Sequence, residues 1–271
     1  MPNWQITYEQ RYWNDEIRHW QLALNDYSGV EFCLKRAELT SPFYIERFRE
    51  VVALGKAIRF HLPHHWESEG LKTSEWSGWD GDADDYSGKA LSDATFTAYC
   101  EYYKAISHIA AAPTENPIYV VHHPIAKDYD KTFHLLDQLH RDFSHYGIYP
   151  ILEPTGDTQV TLAYLKERGL AWKRQYGYSP YCLDICYLNQ LGIIESQGAS
   201  DLLSMAQVIH YHSVSHAHGP VTDLTEETLR WLLKALELNI PICLEILLRG
   251  CEGLGTRSEE HTSELQSRHN L

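Results

Sequence analysis

Short runs of β-branched and aromatic residues alternate along the chain with longer segments whose apolar residues recur every three to four positions. The apolar runs predict strands at 29–35, 57–63, 118–123, 149–153, 181–186, 208–212 and 242–246, with a further candidate at 5–8. The segments between them predict helices at 42–55, 93–111, 128–146, 158–168, 199–205 and 225–238. Thr225, with Glu227 shortly after it, is typical of a helix start.

This order of elements predicts a parallel sheet that is covered by helices. Strands that are apolar along their whole length are buried on both faces, and a helix between successive strands returns the chain to the same edge. Eight such units make an α/β fold of the (β/α)8 type, the TIM barrel. A doubly wound sheet would carry a glycine-rich phosphate loop after a strand, and the sequence contains none. We therefore predict one TIM-barrel domain over residues 1–256.

Two segments depart from the alternation. Residues 64–92 form a long irregular insertion after a strand, which places it on the face where TIM barrels carry their active sites. Its tryptophans, Trp66, Trp76 and Trp79, suit either a lid over the site or a surface loop that packs on the barrel. Residues 257–271 resemble the translation of a sequencing-library adapter, so we expect a non-native tail and a barrel that lacks its C-terminal helix through truncation.

Charge and composition narrow the classes of partner. The 271 residues include 23 Lys and Arg against 37 Asp and Glu, a net charge of -14 that disfavours nucleic-acid binding. No apolar stretch is long enough to span a membrane, and the N-terminus has no signal-peptide pattern. The six cysteines lack CxxC spacing and are typical of reduced core residues, so we expect a cytoplasmic protein. A homo-oligomer is compatible with the sequence, which does not specify an oligomeric state.

Polar side chains occur at the carboxyl ends of six successive predicted strands. They are His61, His122 or His123, Glu153, Asp184, His210 or His212, and Glu245. Burying several carboxylates together is costly unless a cation holds them. Oxygen and imidazole ligands suit Mn, Co, Fe, Zn or Mg, and no thiolate among them selects zinc. The sequence therefore predicts a divalent-metal site at the mouth of the barrel.

Four of these strand ends also carry a family resemblance, which extends over about residues 28–248 through short motifs. The motifs are Ile151-Leu152-Glu153-Pro154, Cys182-Leu183-Asp184-Ile185, Ile209-His210-Tyr211-His212 and Cys243-Leu244-Glu245. Their order and spacing resemble the xylose-isomerase-like barrel superfamily of sugar phosphate isomerases and epimerases, and the ketose 3-epimerases in particular. The resemblance implies metal ligands at Glu153, Asp184, His212 and Glu245. It also implies contacts to substrate or a second metal from His61, His122 and His210. The epimerases have an arginine a few residues after the His-x-His pair, and this chain has none there, so His216 or His218 would take its place.

The resemblance implies a metal-dependent isomerase or epimerase acting on a small-molecule sugar or sugar phosphate. Glu153 and Glu245 would be the catalytic pair, one removing the proton next to a carbonyl and the other returning it through an enediolate. One position departs from the epimerases and from endonuclease IV: Tyr187 stands where both have a histidine. Two alternatives stay open, a zinc phosphodiesterase like endonuclease IV and a non-catalytic sugar-binding barrel.

Overall fold

The computed structural model describes residues 6–9, 25, 27–32, 39–62, 93–109, 116–124, 129–154, 161–190, 197–212 and 225–244. Eight strands lie within these ranges: β1 (Ile6–Glu9), β2 (Gly29–Phe32), β3 (Ala57–His61), β4 (Ile118–His122), β5 (Ile148–Leu152), β6 (Tyr181–Asp184), β7 (Ala206–Tyr211) and β8 (Ile242–Leu244). The helices are α1 (Pro42–Ala53), α2 (Asp93–Ile109), α3 (Tyr129–Phe143), α4 (Leu162–Tyr176), α5 (Ile185–Gln190), α6 (Gln197–Leu203) and α7 (Glu226–Glu237). A 3-10 turn, Ser144–Tyr146, follows α3.

The strands pair in chain order, all parallel, and β1 closes the ring against β8. Thr7 lies opposite Gly29 on one side and opposite Cys243 on the other. The predicted α/β TIM barrel is therefore confirmed, including its eighth strand near the N-terminus. The insertion 64–92, the tail 257–271 and any helix after β8 lie outside the described residues, so the predicted domain limits stay predictions.

Two apolar clusters fix the helices to the outer face of the sheet. One joins β2 to β4 with α1 and α2 and centres on Phe48, whose ring lies 4.6 Å from that of Phe32 and 5.3 Å from that of Phe60. The other joins β5 to β8 with α3, α4 and α7 and includes Tyr181 and Trp231. Burial of these large side chains is the main stabilising contribution to the ring, and it holds the strand ends in register. In the described part of the chain, no helix is long and apolar enough to cross a membrane.

Two predicted boundaries are wrong for local reasons. Helix α4 continues past residue 168 to Tyr176 and stops where Gly177 adopts a left-handed φ of 80°. Strand β6 stops at Asp184 rather than 186, because the Asp184 carboxylate accepts the backbone N–H of Cys186 at 2.6 Å and starts α5. The predicted Thr225 cap is confirmed, since its hydroxyl accepts the backbone N–H of Thr228 at 3.2 Å.

Gly169 lies in the middle of α4 at the closest approach of this helix to the sheet. A Cβ built on it would lie 2.6 Å from Cε2 of Tyr181 and 3.0 Å from Sδ of Met205. The Tyr181 ring cannot move away easily, because its hydroxyl donates to the Leu165 carbonyl at 2.5 Å and the residue is fully buried. The absence of a side chain at 169 therefore sets how near α4 can pack to β6.

We predict that Gly169→Ala destabilises the protein, although alanine is the better helix former by about 1 kcal/mol. Overpacking against the fixed ring should outweigh that gain and lower the free energy of unfolding by about 1–3 kcal/mol. Chemical denaturation of the two proteins measures the difference.

The matched control is Gly198→Ala in α6, where the new Cβ would lie 3.2 Å from the flexible Cδ1 of Leu162 and at an ordinary 3.7 Å from its Cβ. We expect its stability to stay close to that of the wild type. Equal stability of the two variants would contradict the close-packing explanation.

Candidate active site

Polar side chains from β3, β5, β6 and β7 converge inside the barrel at the carboxyl ends of the strands. His61 ends β3, Glu153 follows β5, Asp184 ends β6, and His212 follows β7. His210, two residues before His212, has the same inward direction and lies opposite Asp184 in the sheet register. Each of these side chains is at most 3% exposed, so each must be satisfied by partners within the protein.

Glu153 is the centre of a cluster of three imidazoles. Its Oε2 accepts from Nε2 of His61 at 3.0 Å and lies 3.1 Å from Nε2 of His123. Its Oε1 accepts from Nδ1 of His210 at 3.1 Å. Burial by itself raises the pKa of Glu153, but the charges of His210 and His123 and the hydrogen bonds from His210 and His61 outweigh it and hold that pKa well below its usual range. Glu153 is therefore an ionised carboxylate fixed in one orientation.

The opposite nitrogen of His210 reaches a second buried carboxylate. Nε2 of His210 lies 2.9 Å from Oε1 of Glu31, which stands in the middle of β2, and both side chains are fully buried. Cys243 of β8 adjoins the same pair. His210 therefore lies between two carboxylates, one from β2 and one at the end of β5.

Asp184 and His212 form a second pair at the mouth. Nε2 of His212 donates to Oδ2 of Asp184 at 3.2 Å, while the Cys186 thiol donates to the His212 carbonyl at 2.8 Å. Burial lowers the pKa of His212, but the hydrogen bonds and charges of Asp184 and Cys186 prevail and raise it to about 11. In the absence of a bound cation, this imidazole is therefore protonated at neutral pH.

His122, the last residue of β4, and His123, which follows it, point to different sides of the strand. His123 contacts Glu153 inside the barrel, whereas His122 contacts α2, where the Tyr103 hydroxyl donates to its Nε2 at 2.7 Å. Burial, then the charges of His61 and His123, lower the pKa of His122 to about 3, so this imidazole is neutral. By the family resemblance, His122 was expected in the site. The structure places His123 there instead, because neighbouring residues of a strand alternate between its two faces.

Several predicted site residues lie outside the described part of the chain. They are Glu245, His216 and the three tryptophans of the proposed lid, Trp66, Trp76 and Trp79. Conversely, Glu31 and Cys186 were not predicted from the sequence as site residues. The signal for Glu31 was a charged residue flanked by Val30 and Phe32 in an otherwise apolar strand. Cys186 gave no such signal, because a cysteine in an apolar run is typical of a core residue.

Three groups in the described ranges have the composition of a cation site, each with its donor atoms within 4.8 Å of one another. One is the deeper set of Glu31, His210 and Cys243. The other two lie at the strand ends: His61 with Glu153 and His210, and Asp184 with Cys186 and His212. Carboxylate oxygens and imidazole nitrogens at the ends of three successive strands, β5 to β7, are ligands that a divalent transition metal accepts. The residues therefore fit a divalent cation at the mouth of the barrel.

No protein-family model and no curated protein sequence matches the chain. Solved structures do match. They include 3-keto-D-glucoside 4-epimerase YcjR from E. coli, at 13% identity and TM-score 0.60, covering 98% of this chain and 100% of that one. D-psicose 3-epimerase from Clostridium cellulolyticum H10, in a structure with D-tagatose, matches at 12% identity and TM-score 0.58, covering 89% and 84%. A xylose isomerase domain-containing protein from Salmonella typhimurium LT2 matches at 12% and TM-score 0.55, covering 90% and 88%. At such identity, these matches show only that the chain shares the TIM-barrel fold of these proteins.

Because His122 is buried in its neutral state, we predict that it lowers the free energy of unfolding as the pH falls. Because its pKa is about 3 in the fold against 6.5 as the ordinary value, its contribution is fully present above pH 6.5 and is lost as the pH falls toward 3. The loss amounts to about 1.4 kcal/mol per pH unit below 6.5. In the double variant His122→Phe/Tyr103→Phe, this contribution is absent. As the pH falls, we therefore expect its free energy of unfolding to decrease less steeply than that of the wild type, by about 1.4 kcal/mol per pH unit. Denaturant titrations between pH 6.5 and 4.5 measure the slopes.

Tyr103→Phe alone is the control, because it removes the hydroxyl and retains the imidazole. It should keep the wild-type slope. A double variant whose slope equals that of the wild type would contradict the assigned state of His122.

Proposed function

We propose that the chain is a sugar isomerase or epimerase that removes and returns a proton next to a carbonyl through an enediolate. The observation that carries the proposal is Glu153, an ionised carboxylate buried at the carboxyl end of β5 with both oxygens held by imidazoles. It stands on the catalytic face of a barrel whose fold is shared with solved sugar epimerases. Because only the fold is shared, the activity itself is the part to be tested.

Glu153 would accept the proton. A carboxylate can act as a base only when it is ionised, and the imidazoles around Glu153 favour that state despite its burial. Their hydrogen bonds also hold the acceptor oxygen in place, so that no reorganisation is needed when the proton transfers. By the family resemblance, Glu245 would act on the opposite face of the sugar, which is the arrangement that epimerisation requires.

A divalent cation, of the Mn, Co, Mg, Fe or Zn class, would be held by Glu153, Asp184, His212 and Glu245. The first three are the buried oxygen and nitrogen donors at the ends of β5, β6 and β7. When bound, such an ion polarises a sugar carbonyl and stabilises negative charge on its oxygen. Binding would require His212 to release its proton, and Asp184 would remain as a neighbouring anionic ligand.

The remaining polar residues would bind the sugar hydroxyls. His61 and His123 reach Glu153 from β3 and β4 and therefore adjoin the place where the reacting carbon would lie. His216 and a lid that carries Trp66, Trp76 and Trp79 would complete the pocket. We propose a small-molecule sugar or sugar phosphate as the substrate and the cytoplasm as the compartment.

The proposal predicts that the protein exchanges a carbon-bound hydrogen of its substrate with solvent deuterium. Incubation with a panel of ketoses and sugar phosphates in D₂O, read by NMR or mass spectrometry, identifies the substrate. Glu153→Gln should slow the exchange by about 10²–10⁴-fold, because the amide cannot accept the proton. Circular dichroism checks that the barrel still folds.

Asp130→Asn, which removes a carboxylate from an exposed ion pair with Arg168, is the control and should exchange at the wild-type rate. Wild-type exchange in Glu153→Gln would refute the assignment of the base. Absence of exchange with every sugar, together with cleavage of duplex DNA, would favour the phosphodiesterase alternative. Sugar binding without any turnover would favour the non-catalytic barrel.

Metal dependence is tested separately. We expect elemental analysis to find a divalent metal in the purified protein, and dialysis against a chelator to abolish hydrogen exchange. Adding Mn²⁺ or Co²⁺ should restore it, whereas Asp184→Asn should weaken metal binding because a carboxylate ligand is lost. Full exchange by metal-free protein would refute the metal part of the proposal and leave the role of Glu153 standing.

A further inference from the structure

Glu31 is a fully buried charged residue of the interior that the proposed reaction does not use. It occupies the middle of β2, between Val30 and Phe32, and none of its surface is exposed. A buried carboxylate without a partner would cost several kcal/mol, so its presence requires a specific contact. That contact includes Nε2 of His210 at 2.9 Å.

His210 carries this contact on to the proposed base. Its other ring nitrogen, Nδ1, lies 3.1 Å from Oε1 of Glu153. Because a carboxylate only accepts, the hydrogen bond on this side has Nδ1 of His210 as its donor. The ring also stacks on His61, with centroids 5.4 Å apart and planes 26° apart, which limits rotation. Glu31, His210 and Glu153 therefore form a continuous row of close contacts across the barrel from β2 to the end of β5, an ionic contact on the Glu31 side and a hydrogen bond on the Glu153 side.

The row acts on only one of the two oxygens of Glu153. Oε2 is held by His61 and His123, whereas His210 is the imidazole that holds Oε1. If the Glu31 anion is removed, Nε2 of His210 loses the carboxylate 2.9 Å away, and the ring loses a contact that directs Nδ1 toward Glu153. The Glu153 carboxylate would then keep its contacts at Oε2, whereas the position of Oε1 would no longer be fixed.

We propose that Glu31 is a positioning residue: it fixes the ring of His210 so that Nδ1 holds Oε1 of Glu153 in the orientation that proton transfer requires. The role of Glu31 in catalysis rests on the proposed function, whereas its control of the His210 ring does not. The geometry resembles the way in which carboxylates behind histidine ligands orient them, and loss of such a partner lowers activity by about 10–100-fold.

Kinetics of solvent hydrogen exchange test the catalytic part. Glu31→Gln preserves size and removes the charge, and we expect kcat to fall by about 10–100-fold with little change in KM, because no substrate contact is lost. Since Glu31 acts through His210, Glu31→Gln/His210→Gln should be no slower than His210→Gln alone. Asp130→Asn is again the control for loss of one carboxylate. Additive losses in the double variant, or an unchanged kcat in Glu31→Gln, would overturn the proposal.

NMR of protein labelled with ¹⁵N-histidine tests the contact without any reliance on activity. The ring signals of His210 are identified by their loss in His210→Gln. We expect the Nε2 signal of His210 to shift in Glu31→Gln and to stay in place in Asp130→Asn. Unchanged His210 signals in Glu31→Gln would overturn the proposed contact. Shifted signals in a protein that exchanges hydrogen with no sugar would refute the proposed function and the catalytic role, and confirm control of the ring.

A third variant covers the case in which Glu31→Gln does not fold. Glu31→Asp keeps the charge and withdraws it by one methylene, so the contact to His210 lengthens without disappearing. We expect its kcat to lie between those of the wild type and His210→Gln, and its Nε2 signal to move. Wild-type kinetics with an unmoved signal in Glu31→Asp would count against a positioning role.

Discussion

Carboxylates inside the closed barrel are shielded from water, so they must find hydrogen-bonding or charged partners within the protein. This requirement determines the arrangement of the described part of the site. Glu31 and Glu153 are buried at full or nearly full depth, and each has an imidazole within 3.1 Å. His210 serves both, and His61 and His123 complete the shell of Glu153. The same contacts that make burial tolerable also fix the orientation of Glu153 and keep it ionised. Stability of the interior and readiness for proton transfer therefore have one physical origin.

The helical layer makes this arrangement possible by holding eight short strands in a ring. Neighbouring strands pair over only a few residues, so the register of the sheet also depends on the packing of helices against its outer face. Gly169 allows α4 to approach Tyr181, and the Phe48 ring joins α1 to β2 and β3. His122 belongs to this layer: its contact with Tyr103 ties α2 to β4, while its neighbour His123 faces the site. One strand thus carries a structural histidine and a site histidine in succession.

The order of strands and helices was predictable because periodicity reports directly on burial. Apolar runs with helices between them indicated a covered parallel sheet, and the barrel closes with the eight strands that the pattern predicted. Boundaries were less predictable where a side chain overrides the pattern. The run Tyr181–Cys186 is apolar enough for a strand, yet the Asp184 carboxylate starts a helix by accepting the Cys186 N–H. Likewise, α4 continues through Gly169 although glycine is a poor helix former. A glycine is required there because a side chain would collide with the ring of Tyr181.

The sequence by itself determined the fold class and the set of strand ends that bear polar side chains. Those ends included His61, Glu153, Asp184, His210 and His212, which the structure places together in two adjoining groups. Only the tertiary structure decided which histidine of β4 enters the barrel and that Glu31 lies behind His210. The physical reason is that spacing along the sequence determines which residues of one strand share a face. The partners across a barrel, however, come from strands that are distant in sequence. Their meeting depends on ring closure and register, which no local pattern encodes.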